Sequence, residues 1–412
     1  MRPQPTDPAQ PHTHFPLENL PYCAFRTQES TKARLGVRWQ DWIVDLAELG
    51  TRGWLGDNGD WYHAPTLNVL MAAGRETWQS VRADLQDVLG NTPKSQLADI
   101  LIPIDRTQLT MPVEIGDYTD FYASREHAQN VGTMFRGPEN ALPPNWLHLP
   151  IGYHGRASSV VLSETPIRRP TGQFLLPDAD TPTFAPTREL DFELEMGFLV
   201  GTGNSLGSPI SIDQAEEYIF GLVLVNDWSA RDIQRWEYRP LGPFLAKNFA
   251  TSISPYIVPM EALAPFRRPA PTQTPSPLDY LRPVPNAQHA FDISLSIQLQ
   301  PQNNTAHTIS RSNTQHLYWT IAQQIAHHSV TGCNMRPGDL LASGTISGPT
   351  PDSYGSMLEL AWRGERPLTL PNGETRTFLQ DGDTITLTGW CKADDLTIGF
   401  GEVTGTILPA TG

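Results

Sequence analysis

Acidic side chains stand in two strand-like stretches of this chain where packing alone has no need of them. The first reads Leu190-Asp191-Phe192-Glu193-Leu194-Glu195-Met196, the second Val225-Asn226-Asp227-Trp228-Ser229-Ala230-Arg231-Asp232. Residues i and i+2 of a strand share a face. Glu193 and Glu195 therefore point one way, and Leu190, Phe192, Leu194 and Met196 the other, into apolar surroundings. Asp227 ends an apolar run, Phe220 to Val225, that reads as a buried strand. Carboxylates massed against a core repel each other and lose hydration, so positive charge is expected between them. A hard divalent cation with oxygen ligands meets that need. The competing reading is a solvent-facing acidic row on an antiparallel strand.

Other reactive side chains lie nearby in sequence. Upstream, the stretch from Asp117 to His127 offers Asp120 as a third acid, Tyr122 as a polar aromatic and His127 as a titratable group. Downstream come Arg231, Gln234 and Tyr238, then Lys247 and Thr251. A helix from Ala230 to Tyr238 would put Arg231, Gln234 and Tyr238 on one face. Cationic and amide donors beside an acid-bound metal suit an anionic substrate. Lys247 follows Pro243-Phe244-Leu245-Ala246, an apolar approach that points to a buried lysine. Each residue alone has a plainer reading: Asp120 in a turn, His127 as a structural histidine, Arg231 paired on the surface with Asp232 or Glu237, Glu359 on an exposed strand face.

These groups must be positioned by a largely β framework. Short patterned pieces around Leu35 to Leu46 read as strands, and Trp39, Trp42 and Trp54 can fill a small core. Thr77 to Leu89 has helical periodicity, with Trp78, Val81, Leu85 and Val88 on one face and Gly90 as its stop. From Asp117 onward strands dominate. Phe291 to Leu299 alternates strictly, as does Thr384 to Gly389, and Leu368 to Phe378 reads as a hairpin closed by a type I′ turn at Asn372-Gly373. One helix is expected from a cap at Asn313 or Thr314, burying Leu317, Ile321 and Ile325. Gly201-Thr202-Gly203 lacks the glycine spacing of a phosphate loop and reads as a hairpin turn. The fold class is mainly β: a roll or sandwich after a smaller N-terminal unit, divided near residues 110 to 117.

Composition narrows the function classes. The chain has 412 residues and a formal charge of −15, with no basic block, which argues against nucleic acid and anionic membranes as partners. Its 38 prolines and 32 glycines favour many turns between short strands. Cys23, Cys333 and Cys391 form neither a zinc spacing nor a disulfide framework, so a reducing, cytoplasmic setting is expected. Met1 to His14 is Pro-rich and polar, unlike a signal peptide, and no apolar run approaches a membrane span.

Five stretches carry a resemblance to a known family: DYTDFYASREHA, FRGPENALPPNWLHLPIGYHGRASSV, LDFELEMGFLVG, NDWSARDIQRWEYRPLGPFLAKNF and RPGDLLASGTISGP. They are similar to the fumarylacetoacetate hydrolase family. The acid set is shared across the wider superfamily, whereas DYTDFY followed by His127, with the N-terminal unit, is more specific. The resemblance implies a mixed β-sandwich roll over 113–412, a small SH3-like β-barrel domain over 1–112, and few helices. It implies hydrolysis of a carbon–carbon bond, 4-fumarylacetoacetate and water giving fumarate and acetoacetate, the last step of tyrosine and phenylalanine degradation.

By the same resemblance, Asp120, Glu193, Glu195 and Asp227 bind Ca²⁺ or Mg²⁺, which chelates the 1,3-dicarbonyl and stabilises the enolate. His127 is the general base and Glu359 the acid that orients it. Arg231, Gln234 and Lys247 steady the oxyanion and the departing carbanion. Tyr122, Arg136, Tyr153, Gln234, Tyr238 and Thr345 contact the dicarboxylate diketone substrate. Lys247 and Thr251 resemble a second, structural cation site contacted through backbone oxygens, and the assembly resembles a homodimer. Two other classes compete. One is a different superfamily reaction at the same metal: acylpyruvate hydrolysis, 2-oxo acid decarboxylation or dienoate isomerisation. The other is a calcium-stabilised β protein without catalysis.

Overall fold

The computed structural model describes residues 14–56 and 59–411, so the expected character of Met1 to Thr13 lies outside the described residues. In the N-terminal unit, β1 (Tyr22–Thr27), β2 (Ser30–Trp39), β3 (Trp42–Asp45), β4 (Leu101–Pro103) and β5 (Thr107–Thr110) form an antiparallel sheet in the order β4-β3-β2-β1-β5. Among the described residues β4 and β5 do not pair, so the sheet keeps two edges and shows no barrel closure. Helix α1 (Arg75–Asn91) buries Trp78, Val81, Leu85 and Leu89 against this sheet's core, while Val88 is only half-buried. The helix runs through Gly90, contrary to expectation. Pro93 is the reason: it holds Thr92 extended (φ −91°, ψ 128°), and that ends the helix.

Among the described residues, the rest of the chain builds four two-stranded sheets and two larger ones. The main strands of the larger two are β6 (Tyr118–Phe121), β7 (Gly152–His154), β8 (Val160–Leu162), β9 (Leu194–Val200), β10 (Ile219–Asp227), β11 (Thr251–Ile253), β12 (Ser294–Gln300), β13 (His307–Asn313), β14 (Leu340–Ala342), β15 (Thr384–Ala393) and β16 (Leu396–Leu408). The larger sheet runs β7-β6-β14-β9-β10-β11-β8, parallel at β6–β14 and β11–β8 and antiparallel elsewhere. The smaller runs β13-β12-β15-β16 and packs against it through β10. The architecture is therefore the expected mainly β sandwich.

Strand β10 is apolar at nearly every position because both its faces are covered. Leu222 and Leu224 join the core between the sheets, together with Leu194, Met196 and Phe198 of β9. Phe220, Val223 and Val225 face the other way, into the core shared with the N-terminal unit. There Phe220 meets Trp78 edge-on at 5.2 Å and Tyr22 at 5.3 Å.

Four local expectations are corrected. The strand expected through Leu190–Met196 is interrupted: Leu190–Asp191 pairs with Ser229–Ala230, and β9 starts only at Leu194. The helix expected from Asn313 is two elements. Asn313 caps a short turn, Thr314–His316, and Thr320 caps α4 (Ile321–Ser329) through a capping box with Gln323. Gly201–Gly203 opens a long connection rather than a tight hairpin, with Gly201 N–H donating to the Tyr218 carbonyl. The hairpin at Leu368–Thr369 and Thr375–Arg376 forms, but within its turn only Gly373 has a positive φ (89°), so the turn is not type I′. Three further helices frame the site: α2 (Arg125–Arg136), α3 (Arg231–Glu237) and α5 (Met357–Leu360).

Candidate active site

Register assembles the acids. Across the large sheet Tyr153 stands opposite Asp120, Asp120 beside Ala342, Ala342 opposite Gly197, Glu195 opposite Val225, and Asp227 opposite Thr251. Asp120, Glu195, Asp227 and Thr251 have the same parity as Tyr118, Leu199, Val225 and Ile253, so they face one side at the strand ends. Glu193 lies just outside β9. Its carbonyl accepts the Asp227 N–H at 3.2 Å, and its own N–H donates to Asn226 Oδ1 at 3.1 Å. One carboxylate oxygen from each of Asp120, Glu193, Glu195 and Asp227 lies within 4.8 Å of the others, and all four residues are buried.

The charges in this nest are only partly answered. Lys247 Nζ lies 2.5 Å from both Glu193 Oε2 and Asp227 Oδ2, and Arg231 Nη2 lies 2.7 Å from Glu193 Oε1. Thr251 Oγ1 and the Tyr153 hydroxyl donate to Asp227 at 2.7 and 3.2 Å. Burial works against ionised Glu193, but Lys247 and then Arg231 hold its carboxyl well below the usual carboxylate range. On the other side, Asp120 Oδ1 and Glu195 Oε1 are buried without a hydrogen-bond partner. Burial, followed by the charge of Asp227, pushes Asp120 well above the usual range; burial and the charges of Asp120 and Asp227 do the same to Glu195. Burial also raises Asp227, against the lowering pull of Lys247. Four converging buried acids, two of them with an oxygen lacking a donor, are a set that fits a divalent cation. The Lys247 ammonium, bound to Glu193 and Asp227, has no lone pair to offer a cation, whereas the Thr251 hydroxyl gives its proton to Asp227 and keeps its oxygen lone pairs.

His127 sits in the first turn of α2, where Ser124 caps the helix by accepting the His127 N–H at 3.4 Å. Its Nδ1 is 2.7 Å from Glu359 Oε2. Glu359 is no exposed strand residue; it is 1% exposed on α5. Its carboxylate also accepts from Asn130 Nδ2 at 2.9 Å, Ser347 Oγ at 2.9 Å and Ser356 Oγ at 2.8 Å. Against the pull of burial, His127 and then Asn130 and Ser356 hold this carboxyl below the usual range. A carboxylate accepting at Nδ1 assigns the ring proton there and leaves Nε2 as an acceptor. The serines and Asn130 were not foreseen, since nothing in their local sequence marks them.

A cavity of about 410 Å³ joins the two groups. His127, Glu193, Arg231 and Lys247 line it, as do Tyr122, Arg136, Tyr153, Gln234, Tyr238 and Thr345. The Tyr122 ring stands edge-on to His127 at 5.2 Å. Gln234 Oε1 accepts from Arg231 Nη1 at 3.1 Å, as the shared helix face anticipates. Tyr238 OH accepts from Arg239 Nε at 2.9 Å, and the Thr345 hydroxyl is buried without a partner. Arg136 is exposed, and its guanidinium is tied to the carbonyls of Asn140 (3.1 Å) and Ala141 (2.6 Å). Gly344 lets the wall close: φ is +76°, and a Cβ there would lie 2.1 Å from the Phe121 carbonyl oxygen. Arg235, bound to Glu189, also lines the cavity and was not anticipated.

Known proteins match this chain over nearly its whole length. Residues 18–112 match the family model described as fumarylacetoacetase N-terminal, and residues 117–408 that described as fumarylacetoacetate hydrolase C-terminal. The curated fumarylacetoacetases of Homo sapiens and Bos taurus are 52% and 53% identical, each covering 98% of this chain and 98% of the relative. That of Dictyostelium discoideum is 52% identical, covering 97% and 96%. Among solved structures, a fumarylacetoacetate hydrolase from psychrophilic Exiguobacterium antarcticum has a TM-score of 0.55 at 16% identity, covering 95% of this chain and 99% of that one. A putative HpcE protein from Mycobacterium smegmatis has a TM-score of 0.53 at 19% identity, covering 94% and 99%. These two show the fold; the half-identical relatives and the two family models decide the rest, and the chain belongs to the fumarylacetoacetate hydrolase family.

Proposed function

We propose that this chain hydrolyses 4-fumarylacetoacetate to fumarate and acetoacetate, the closing step of tyrosine and phenylalanine degradation. The observation that carries the reading is one cavity bordered by both a histidine–glutamate pair at 2.7 Å and four converging carboxylates. Asp120, Glu193, Glu195 and Asp227 would hold a divalent cation, which when bound supplies Lewis-acid polarisation of substrate oxygens. We propose Ca²⁺ or Mg²⁺: the carboxylate number leans to Ca²⁺, and cellular abundance to Mg²⁺.

The chain's own residues account for the proton and the charge. Glu359 fixes the tautomer and direction of His127, so Nε2 can take a proton from water in the cavity. The hydroxide adds to the ketone next to the fumaryl group. The carbon–carbon bond breaks, and its electron pair leaves with the acetoacetate fragment. Fumarate gains OH, and the proton taken from water goes to the departing carbon. Arg231, Gln234 and Lys247 supply donors where negative charge gathers. Tyr122, Tyr153, Tyr238 and Thr345 shape the pocket, and Arg136 at its exposed side is proposed to receive a substrate carboxylate once turned from its carbonyl partners. We further propose a cytoplasmic homodimer, a division into units 1–112 and 113–412, and a second cation at the backbone oxygens of Lys247 and Thr251. Among the described residues, no helix is long and apolar enough to cross a membrane.

The test is turnover of fumarylacetoacetate, an acylpyruvate and oxaloacetate, with and without chelator. Fumarylacetoacetate should be strongly preferred. His127→Ala should lower turnover about 10²–10⁴-fold with metal content unchanged; full activity in that variant would remove His127 from the reaction.

A further inference from the structure

Asp191 is a wholly buried acid that lies outside both the nest and the cavity lining, and the mechanism leaves it without a task. Its carboxylate nevertheless joins the two halves of the machinery. Oδ2 accepts from Arg231 Nε at 2.8 Å and from the Leu358 N–H at 3.0 Å. Oδ1 accepts from the Met357 N–H at 2.7 Å and from the Phe192 N–H at 2.8 Å. One side chain therefore clamps the arginine that faces the departing fragment, the first residues of the helix carrying Glu359, and the backbone leading to Glu193. Resting on the function proposed above, we infer that Asp191 is a positioning residue that sets Arg231 and the Glu359–His127 pair in place relative to each other.

The clamp requires a carboxylate rather than an acid-shaped side chain. Four donors converge on two oxygens. An asparagine amide presents one acceptor atom and one NH₂, so two of those donors would face another donor. Asp191→Asn thus changes acceptor number while keeping shape. Local sequence also fits the role: Leu190–Asp191 pairs with Ser229–Ala230, which delivers Arg231 directly to the carboxylate.

Asp191→Asn is expected to bind metal at the parent stoichiometry and keep KM within about threefold, while kcat falls about 10–100-fold, the scale of a lost supporting hydrogen bond. A group that acts through others also couples to them. The combined loss in Asp191→Asn/Glu359→Gln should be well below the product of the single losses. Parent kcat in a folded Asp191→Asn, an effect on KM alone, or losses that multiply would overturn the inference. Should Asp191→Asn fail to fold, Arg231→Lys combined with Glu359→Gln serves instead. These two residues communicate through Asp191, so sub-multiplicative losses support the clamp and independent losses refute it. Failure of the parent enzyme to cleave fumarylacetoacetate would instead strike at the proposed function, and is read on the parent alone.

Discussion

Two buried carboxylate groups in this molecule answer the same problem in opposite ways. Glu359 is saturated: His127, Asn130, Ser347 and Ser356 all donate to it, and it stays ionised deep in the protein. In the nest, Glu193 and Asp227 have Lys247, Arg231, Thr251 and Tyr153, while Asp120 and Glu195 each keep an oxygen without a partner. An acid given every donor it can use is built to hold something else still. Acids left short of donors, packed within 4.8 Å, are built to receive a cation.

That contrast can be broken from either side. The largest effect is expected at the nest: Asp227→Ala removes one proposed ligand and the partner of both Lys247 and Thr251, so bound metal and turnover should vanish together. A metal-replete, active variant, read by elemental analysis beside the assay, would undo the ligand set. Next comes metal removal from the parent. A cation present at about 100 times its Kd stabilises the fold by about 2.7 kcal/mol, so a chelator should lower Tm by several degrees; an unchanged Tm would mean that the acids carry no ion. The smallest effect sharpens the other side. Because the Glu359 carboxyl is held below its ordinary value, its contribution is fully present above the unfolded pKa and disappears as pH falls through the folded one. Glu359→Gln should cost about 2 kcal/mol at neutral pH, and the difference from the parent should shrink below about pH 4.3. Denaturant unfolding across pH measures it; a gap that widens with acid would reverse the assignment.

Much of the site was legible along the chain because its signals are local. The spacing of Glu193 and Glu195, the acid closing the β10 run, the helical face of Arg231 and Gln234, and the apolar approach to Lys247 all depend on residues close in sequence. Glu193 reached the nest even though its strand is interrupted, because the bond from the Asp227 N–H holds its backbone in place. The apolar run also marked β10 as buried, and every position of β9 and β10 is buried. That run could not say which face of β10 packs against the second sheet and which against the N-terminal unit, since both cores demand the same apolar residues.

Long-range choices had no such signal. Glu359 lies 232 positions from His127, and its neighbours Leu358 and Leu360 say only that the surroundings are apolar. Asp191 stands in plain view beside the two glutamates, yet its partners belong to the Arg231 helix and to Met357 and Leu358. Taken alone, the chain determined which side chains were available for metal and proton chemistry and which strand face they would take, because periodicity is a property of neighbours. Only the tertiary structure decided which acids would be neutralised and which left open, because that depends on strand register and on cations delivered from distant segments, and a linear pattern encodes neither.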